Sequence, residues 1–184
     1  MSKVEKLLSV YREYIGLPWQ QGLAGIQRVV FAVYDPRDEL RMRANLAQFE
    51  IATKAVGHAW QPIDTTDAFP RWMGEQRYRE SYFGNPEDLD GYAHGQITGF
   101  TEALERDLRN KIVGGADANT VTALVGVGSL LGLTRVSRVV EKVADAIPGR
   151  LLVFFPGTYA DNHYRLLDAR DGWNYLAVPL VAAD

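Results

Sequence analysis

Two short stretches hold the residue types best suited to chemistry. Gly126-Val127-Gly128-Ser129-Leu130-Leu131-Gly132 follows an apolar run and has the form of a dinucleotide-binding turn lengthened by one residue. In such a turn, glycines let a pyrophosphate approach a helix N-terminus. The next apolar run, however, ends in Phe155-Pro156-Gly157, with no acidic side chain for a ribose. A tight strand-to-helix turn is then the simpler account of the glycines. Asp35 closes five apolar residues, as a Walker-B carboxylate does, but no G-x-x-x-x-G-K-[ST] sequence accompanies it. With Pro36 behind it, Asp35 reads as a helix N-cap. Ser129 lacks the glycine spacing of a nucleophile elbow.

His58, His94 and His163 are widely spaced and form no metal-ligand pattern. Asp88, Asp90 and His94 are close enough in sequence to hold an ion, although a solvated loop is the better account of them. Arg135, Arg138 and Arg150 surround the segment after the glycine turn, where surface solvation accounts for them. The candidate binding residues are thus Asp35, Gly126, Gly128, Ser129, Arg135 and Tyr159. No catalytic set, metal or cofactor is expected.

These residues need a scaffold, and the apolar pattern predicts one. Residues 27–34, 121–127 and 150–155 are nearly unbroken apolar runs. Runs without alternation fit strands buried on both faces, as in a parallel sheet between helix layers. An α/β fold with three layers, α/β/α, around a mainly parallel sheet is expected, as one domain over residues 1–184. A capping box at Ser2 and Glu5 opens a first helix with Val4, Leu7, Leu8, Tyr11 and Ile15 on one face. A second helix is predicted from Pro36 to Val56, ended by Gly57, with Leu40, Ala44, Ala47, Ile51 and Ala55 as one stripe and Leu46, Phe49, Thr53 and Val56 beside it, together a wide apolar face suited to lying on a sheet. Residues 58–63 read as a strand whose Pro62 suits an edge. A long helix is predicted over 89–112, another over 130–146, and a last strand over 173–181. Trp19 is expected to plug the core.

Composition excludes several classes. The 184 residues carry 20 basic and 23 acidic side chains, a formal charge of −3, with no basic cluster. Direct nucleic-acid binding and adhesion to an anionic membrane are therefore not expected. The chain has no cysteine, so disulfides and thiolate chemistry are absent. Lys3, Glu5 and Lys6 interrupt the place where a signal peptide would be apolar, and no run reaches the length of a membrane span. A cytoplasmic location is expected.

Three groups of residues, taken together, resemble a known family. They are Tyr34, Pro36, Glu39 and Arg43; Gly126-Val127-Gly128-Ser129-Leu130 with Arg135; and Phe155-Pro156-Gly157 with Tyr159 and Asn174-Tyr175. In this order they resemble the BrxB family, the small component of the bacteriophage-exclusion (BREX) defence systems. The likeness runs from Gln27 onward, strongest after Val121 and weakest between Asp64 and Leu89. The chain departs from the family pattern where a proline near Gly132, a histidine near Ser137 and arginines after Tyr175 would stand. The resemblance implies a non-catalytic component of anti-phage defence that associates with the system's phosphatase-like and AAA-type ATPase members. A small nucleotide-binding or hydrolytic enzyme, using the strand ends near Asp35, Gly126–Ser129 and Gly157, is the alternative.

One further stretch interleaves aromatics with arginines: Trp72, Tyr78, Tyr82 and Phe83 amid Arg77 and Arg79. Such mixtures are enriched at interface hot spots, and these six residues are the candidate interface. The competing reading packs them into the core.

Overall fold

The computed structural model describes residues 1–89, 97–167 and 176–182. Five parallel strands form its central sheet, in the order β2-β3-β4-β1-β6. They are β1 (Val29–Tyr34), β2 (Ala59–Asp64), β3 (Thr120–Val125), β4 (Arg150–Ala160) and β6 (Val178–Val181). A sixth strand, β5 (His163–Leu166), pairs antiparallel with the far end of β4. The three strands expected to be central and parallel are so: Val29 faces Leu151 and Val121 faces Arg150. The second strand is indeed an edge, where Pro62 opposite Ala123 needs no outward donor.

Alternate residues of each strand face opposite helix layers. On one face Val30, Ala32, Ala123, Leu152 and Phe154 meet α1 (Lys3–Ile15) and α2 (Glu39–Ala55). On the other, Val29, Phe31, Val33, Leu151, Val153 and Phe155 meet α5 (Thr98–Gly115) and α6 (Val136–Val143). The three-layer α/β/α expectation therefore holds. α3 (Ala68–Gly74) belongs to the second layer, and α4 (Arg79–Gly84) follows it. The capping box of α1 forms as predicted, with Glu5 N–H donating to Ser2 Oγ and Ser2 N–H to Glu5 Oε2 at 3.2 and 2.6 Å. Tyr11 ties α1 to α2 through a buried 2.6 Å hydrogen bond with Thr53, whose own hydroxyl donates to Phe49 O.

Several expectations are corrected. The stripe Leu40, Ala44, Ala47, Ile51 and Ala55 faces solvent, not the sheet. Of the residues placed beside it, Val56 is also exposed, whereas Phe49 and Thr53 are buried with Met42 and Ala52, and Leu46 packs against them. The helix has apolar residues on both sides, and the side bearing Met42 and Phe49 buries more area per residue. The helix predicted over 130–146 is broken: a 3-10 turn spans Val127–Leu130, Gly132 follows at φ +77°, and regular helix starts only at Val136. β4 runs on through Pro156-Gly157 to Ala160 instead of stopping at 155. It folds back through Asp161-Asn162, both at positive φ, a two-residue hairpin turn. α5 runs past the expected end at residue 112 and closes on Gly114 and Gly115. The segment around Asp90 and His94, and Trp173 with Asn174-Tyr175, lie outside the described residues.

Candidate functional site

The carboxyl ends of β1, β2, β3 and β4 converge on one rim, the usual ligand position in an open parallel sheet. Tyr34 ends β1, and its hydroxyl donates to Glu39 on the first turn of α2. Glu39 accepts from Arg43 Nε at 2.8 Å, one helical turn on. Arg43 then reaches across to β2, donating to Asp64 Oδ2 at 3.0 Å and Thr66 Oγ1 at 2.6 Å. Asp64 Oδ1 accepts from both the Thr66 backbone and its hydroxyl. A continuous polar chain, Tyr34–Glu39–Arg43–Asp64–Thr66, thus laces three elements together.

Gly126 is fitted to this chain. It sits at φ +78°, and a Cβ there would lie 2.4 Å from Thr66 Oγ1 and 2.6 Å from Asp64 Oδ1. Close approach, together with the left-handed backbone, requires glycine. The Ser129 hydroxyl donates to Gly126 O at 2.7 Å and lies 3.2 Å from Thr65 O, pinning the turn to the end of β2.

Pairing sets the electrostatics. Burial pushes the Asp64 carboxyl up, but the Thr66 hydrogen bonds and Arg43 outweigh it and hold the group below its ordinary value. Burial pulls Arg43 down, and its bonds to Glu39 and Asp64 carry it above the usual guanidinium value. Burial, then Glu39, pushes the Tyr34 phenol well above its ordinary value. Asp35 caps the turn at Pro36–Asp38 by accepting from Arg37 N, and the Arg37 guanidinium lies against it at 2.6 Å. The Arg37 side chain and backbone hold the Asp35 carboxyl far below the usual range.

Two crevices open on this rim, on either side of Pro36. One, about 450 Å³, is lined by Lys3, Tyr34, Asp35, Arg37, Gly157 and Tyr159, with Leu7, Val33 and Val181 among its apolar residues. The other, about 370 Å³, is lined by Glu39, Arg43, Thr66, Gly126, Gly128, Ser129 and Pro156. The candidate binding residues are thus divided: Asp35 and Tyr159 share the first crevice, and Gly126, Gly128 and Ser129 the second. Arg135 lines neither; it stands exposed at the start of α6. Asp64 and Thr66 escaped the sequence reading. Their signal was a D-x-T turn directly after a predicted strand, where an aspartate accepts from the backbone two residues on.

The candidate interface also divides. Trp72 is half-buried against Phe69 and Phe100, with ring centroids 5.9 and 5.7 Å away, and Met73 beside it is buried. Tyr82 is half-buried, whereas Tyr78 and Phe83 are 65% and 63% exposed. Arg77 lies over the Tyr78 ring, and Arg79 donates to Gly74 O. Trp72 therefore leaves the interface set, because α5 offers it an aromatic surface to cover. His58 stacks on Trp19 at 3.9 Å and contacts Asn119 at 2.6 Å, which accounts for it structurally. Trp19 packs against the α1/α2 core as a partly buried plug. Among the described residues, no three His, Cys, Asp or Glu side chains group to hold a metal, and no helix is long and apolar enough to cross a membrane.

No family model, curated protein or solved structure matches the chain.

Proposed function

We propose that this chain is a non-catalytic interaction component of a bacterial anti-phage system, in the manner of the BrxB family. One observation carries the reading. Residues quoted for the resemblance from three separate parts of the sequence line a single crevice: Pro36, Glu39 and Arg43, then Gly126, Gly128 and Ser129, then Pro156. The charged side chains of that crevice are bonded to one another, and such pairing fixes a shape more than it prepares a proton transfer. Binding to a phosphatase-like or AAA-type ATPase component is then assigned to Tyr78 and Phe83, with Arg77 and Arg79 at their side. Co-expression with each component and affinity capture of the tagged chain tests this. A stable complex lost in Tyr78→Ala/Phe83→Ala is expected. Failure to co-purify with either component would overturn the assignment.

A second reading has its own observation, the crevice of about 450 Å³ beside Asp35, Gly157 and Tyr159. Its volume suits a small organic ligand. Thermal-shift measurements with nucleotides and Mg²⁺ separate the two. A ligand at 100 times its dissociation constant adds about 2.7 kcal/mol, whereas the interaction reading expects no shift.

A further inference from the structure

β4 outlasts the strand beside it. Tyr34, the last residue of β1, lies opposite Pro156, and β4 continues to Ala160. One side of this extension is taken by β5. The two-residue turn makes Ala160 and His163 the pair that exchanges both hydrogen bonds, so the Thr158 backbone also turns toward β5. Leu167 N–H donating to Pro156 O at 2.8 Å keeps the same alternation. The N–H and C=O groups of Gly157 and Tyr159 therefore point away from β5.

On that other side no strand meets them. If β1 continued in register, residue 36 would supply the N–H for Gly157 O, but Pro36 has none. The chain turns off at Pro36–Asp38 instead, and among the described residues no backbone hydrogen bond joins that turn to Tyr159. What stands there is the crevice of about 450 Å³, walled by Gly157, Thr158 and Tyr159 and by Val181 and Ala182 at the end of β6. With a rise of ~3.3 Å, neighbours ~4.8 Å apart and layers ~10 Å apart, one strand residue fills about 160 Å³. The crevice thus holds about three such residues.

Apolar contact alone would not choose an occupant. Backbone donors and acceptors repeating at the strand interval do, because another extended backbone is what matches them. Charge narrows the choice. The Asp35–Arg37 pair is neutral as a whole, and Lys3, exposed on the first turn of α1, leaves the rim net positive. We propose that this crevice receives an extended acidic peptide segment of about three residues, which adds a strand to the open edge of β4 at Gly157–Tyr159 and sets a carboxylate at Lys3. The proposal rests on this crevice alone. It is separate from the assignment of a partner to Tyr78 and Phe83, and either can fail without the other.

Amide hydrogen exchange followed by nuclear magnetic resonance tests the open edge first. In the free protein the Tyr159 amide should exchange faster than that of Thr158. Equal protection of the two would mean that the edge is already paired, and would overturn the proposal. The probe is the peptide acetyl-Glu-Val-Thr-Val-Glu-amide, which offers a carboxylate at either end whichever way it runs. With peptide at ~10 times its dissociation constant, Tyr159 exchange should slow about tenfold. The same peptide N-methylated at its central residues cannot pair and should leave Tyr159 unprotected. Lys3→Glu tests the charge. An acid in the first turn suits the helix, so melting should not fall, while the preference should reverse to a lysine-flanked peptide. Protection by the N-methylated peptide, or an unchanged preference in Lys3→Glu, would overturn the proposal. So would a probe peptide that leaves Tyr159 unprotected at millimolar concentration. If ATP or GTP with Mg²⁺ protects Tyr159 where the peptide does not, the crevice belongs to the small-ligand reading and the proposal falls.

Discussion

Replacing Trp72 by alanine should cost stability, whereas replacing Tyr78 or Phe83 should not. The indole lies on Phe100 and Phe69 at 5.7 and 5.9 Å, and its Cζ2 is 3.3 Å from where a Cβ on Gly99 would be. It therefore fills the joint between α3 and α5. Removing a fully buried tryptophan costs about 3–5 kcal/mol, and a half-buried one correspondingly less, about 2–3 kcal/mol. For a chain of this length that lowers Tm by about 4–12 °C. Tyr78 and Phe83 stand mostly in water, so their truncation should stay within about 0.5 kcal/mol. Urea and thermal unfolding followed by far-ultraviolet circular dichroism measure both without relying on tryptophan emission. If Trp72→Ala melts within about 1 °C of the parent, the packing account of α3 is wrong. If Tyr78→Ala falls as far as Trp72→Ala, the exposed aromatics are structural and cannot be assigned to a partner.

Other perturbations probe the rim. Gly126→Ala must hold a left-handed backbone and displace Thr66, so a loss of at least about 1–2 kcal/mol in urea is expected, and an unchanged midpoint would contradict the close approach. Tyr11→Phe removes one buried hydrogen bond between α1 and α2 and should cost about 1 kcal/mol by the same measurement. Asp64 has a folded pKa below its ordinary 3.8, so its contribution is complete above that value and is lost as pH falls through the lower one. Acid titration of stability should be shallower in Asp64→Asn below about pH 4, by a small amount because the side chain is half-exposed and screened.

The sheet was legible because strands covered on both faces write unbroken apolar runs, and 27–34, 121–127 and 150–155 did so. The buried side of α2 was not. Leu40, Ala44, Ala47 and Ile51 keep helical spacing as well as Met42, Phe49 and Thr53 do, and periodicity cannot say which of two stripes meets a sheet. Side-chain bulk decides it, through Phe49 against Phe154 at 5.0 Å. Asp35, Gly126 and Ser129 were visible as residues that end strands or start turns. The chain from Tyr34 to Thr66 was not, because Arg43 bridges to Asp64 across 21 positions and no local pattern records that. The hairpin after β4 left a readable mark in Asp161-Asn162, masked by a proline and glycine that suggested the strand had already ended.

The place of β1 between β4 and β6 also shapes how the chain is made. Val29 finds its lateral neighbour, Leu151, only after roughly 120 further residues have been synthesised, which takes about 6–24 s on a ribosome. Throughout that interval Val29-Val30-Phe31-Ala32-Val33 has neither of the strands that flank it in the finished sheet. α1 and α2 emerge early enough to shelter one face of this strand, but its two hydrogen-bonding edges stay open. A nascent chain of this topology is thus a substrate for chaperones during elongation, and slowing translation beyond β3 lengthens its exposure to aggregation.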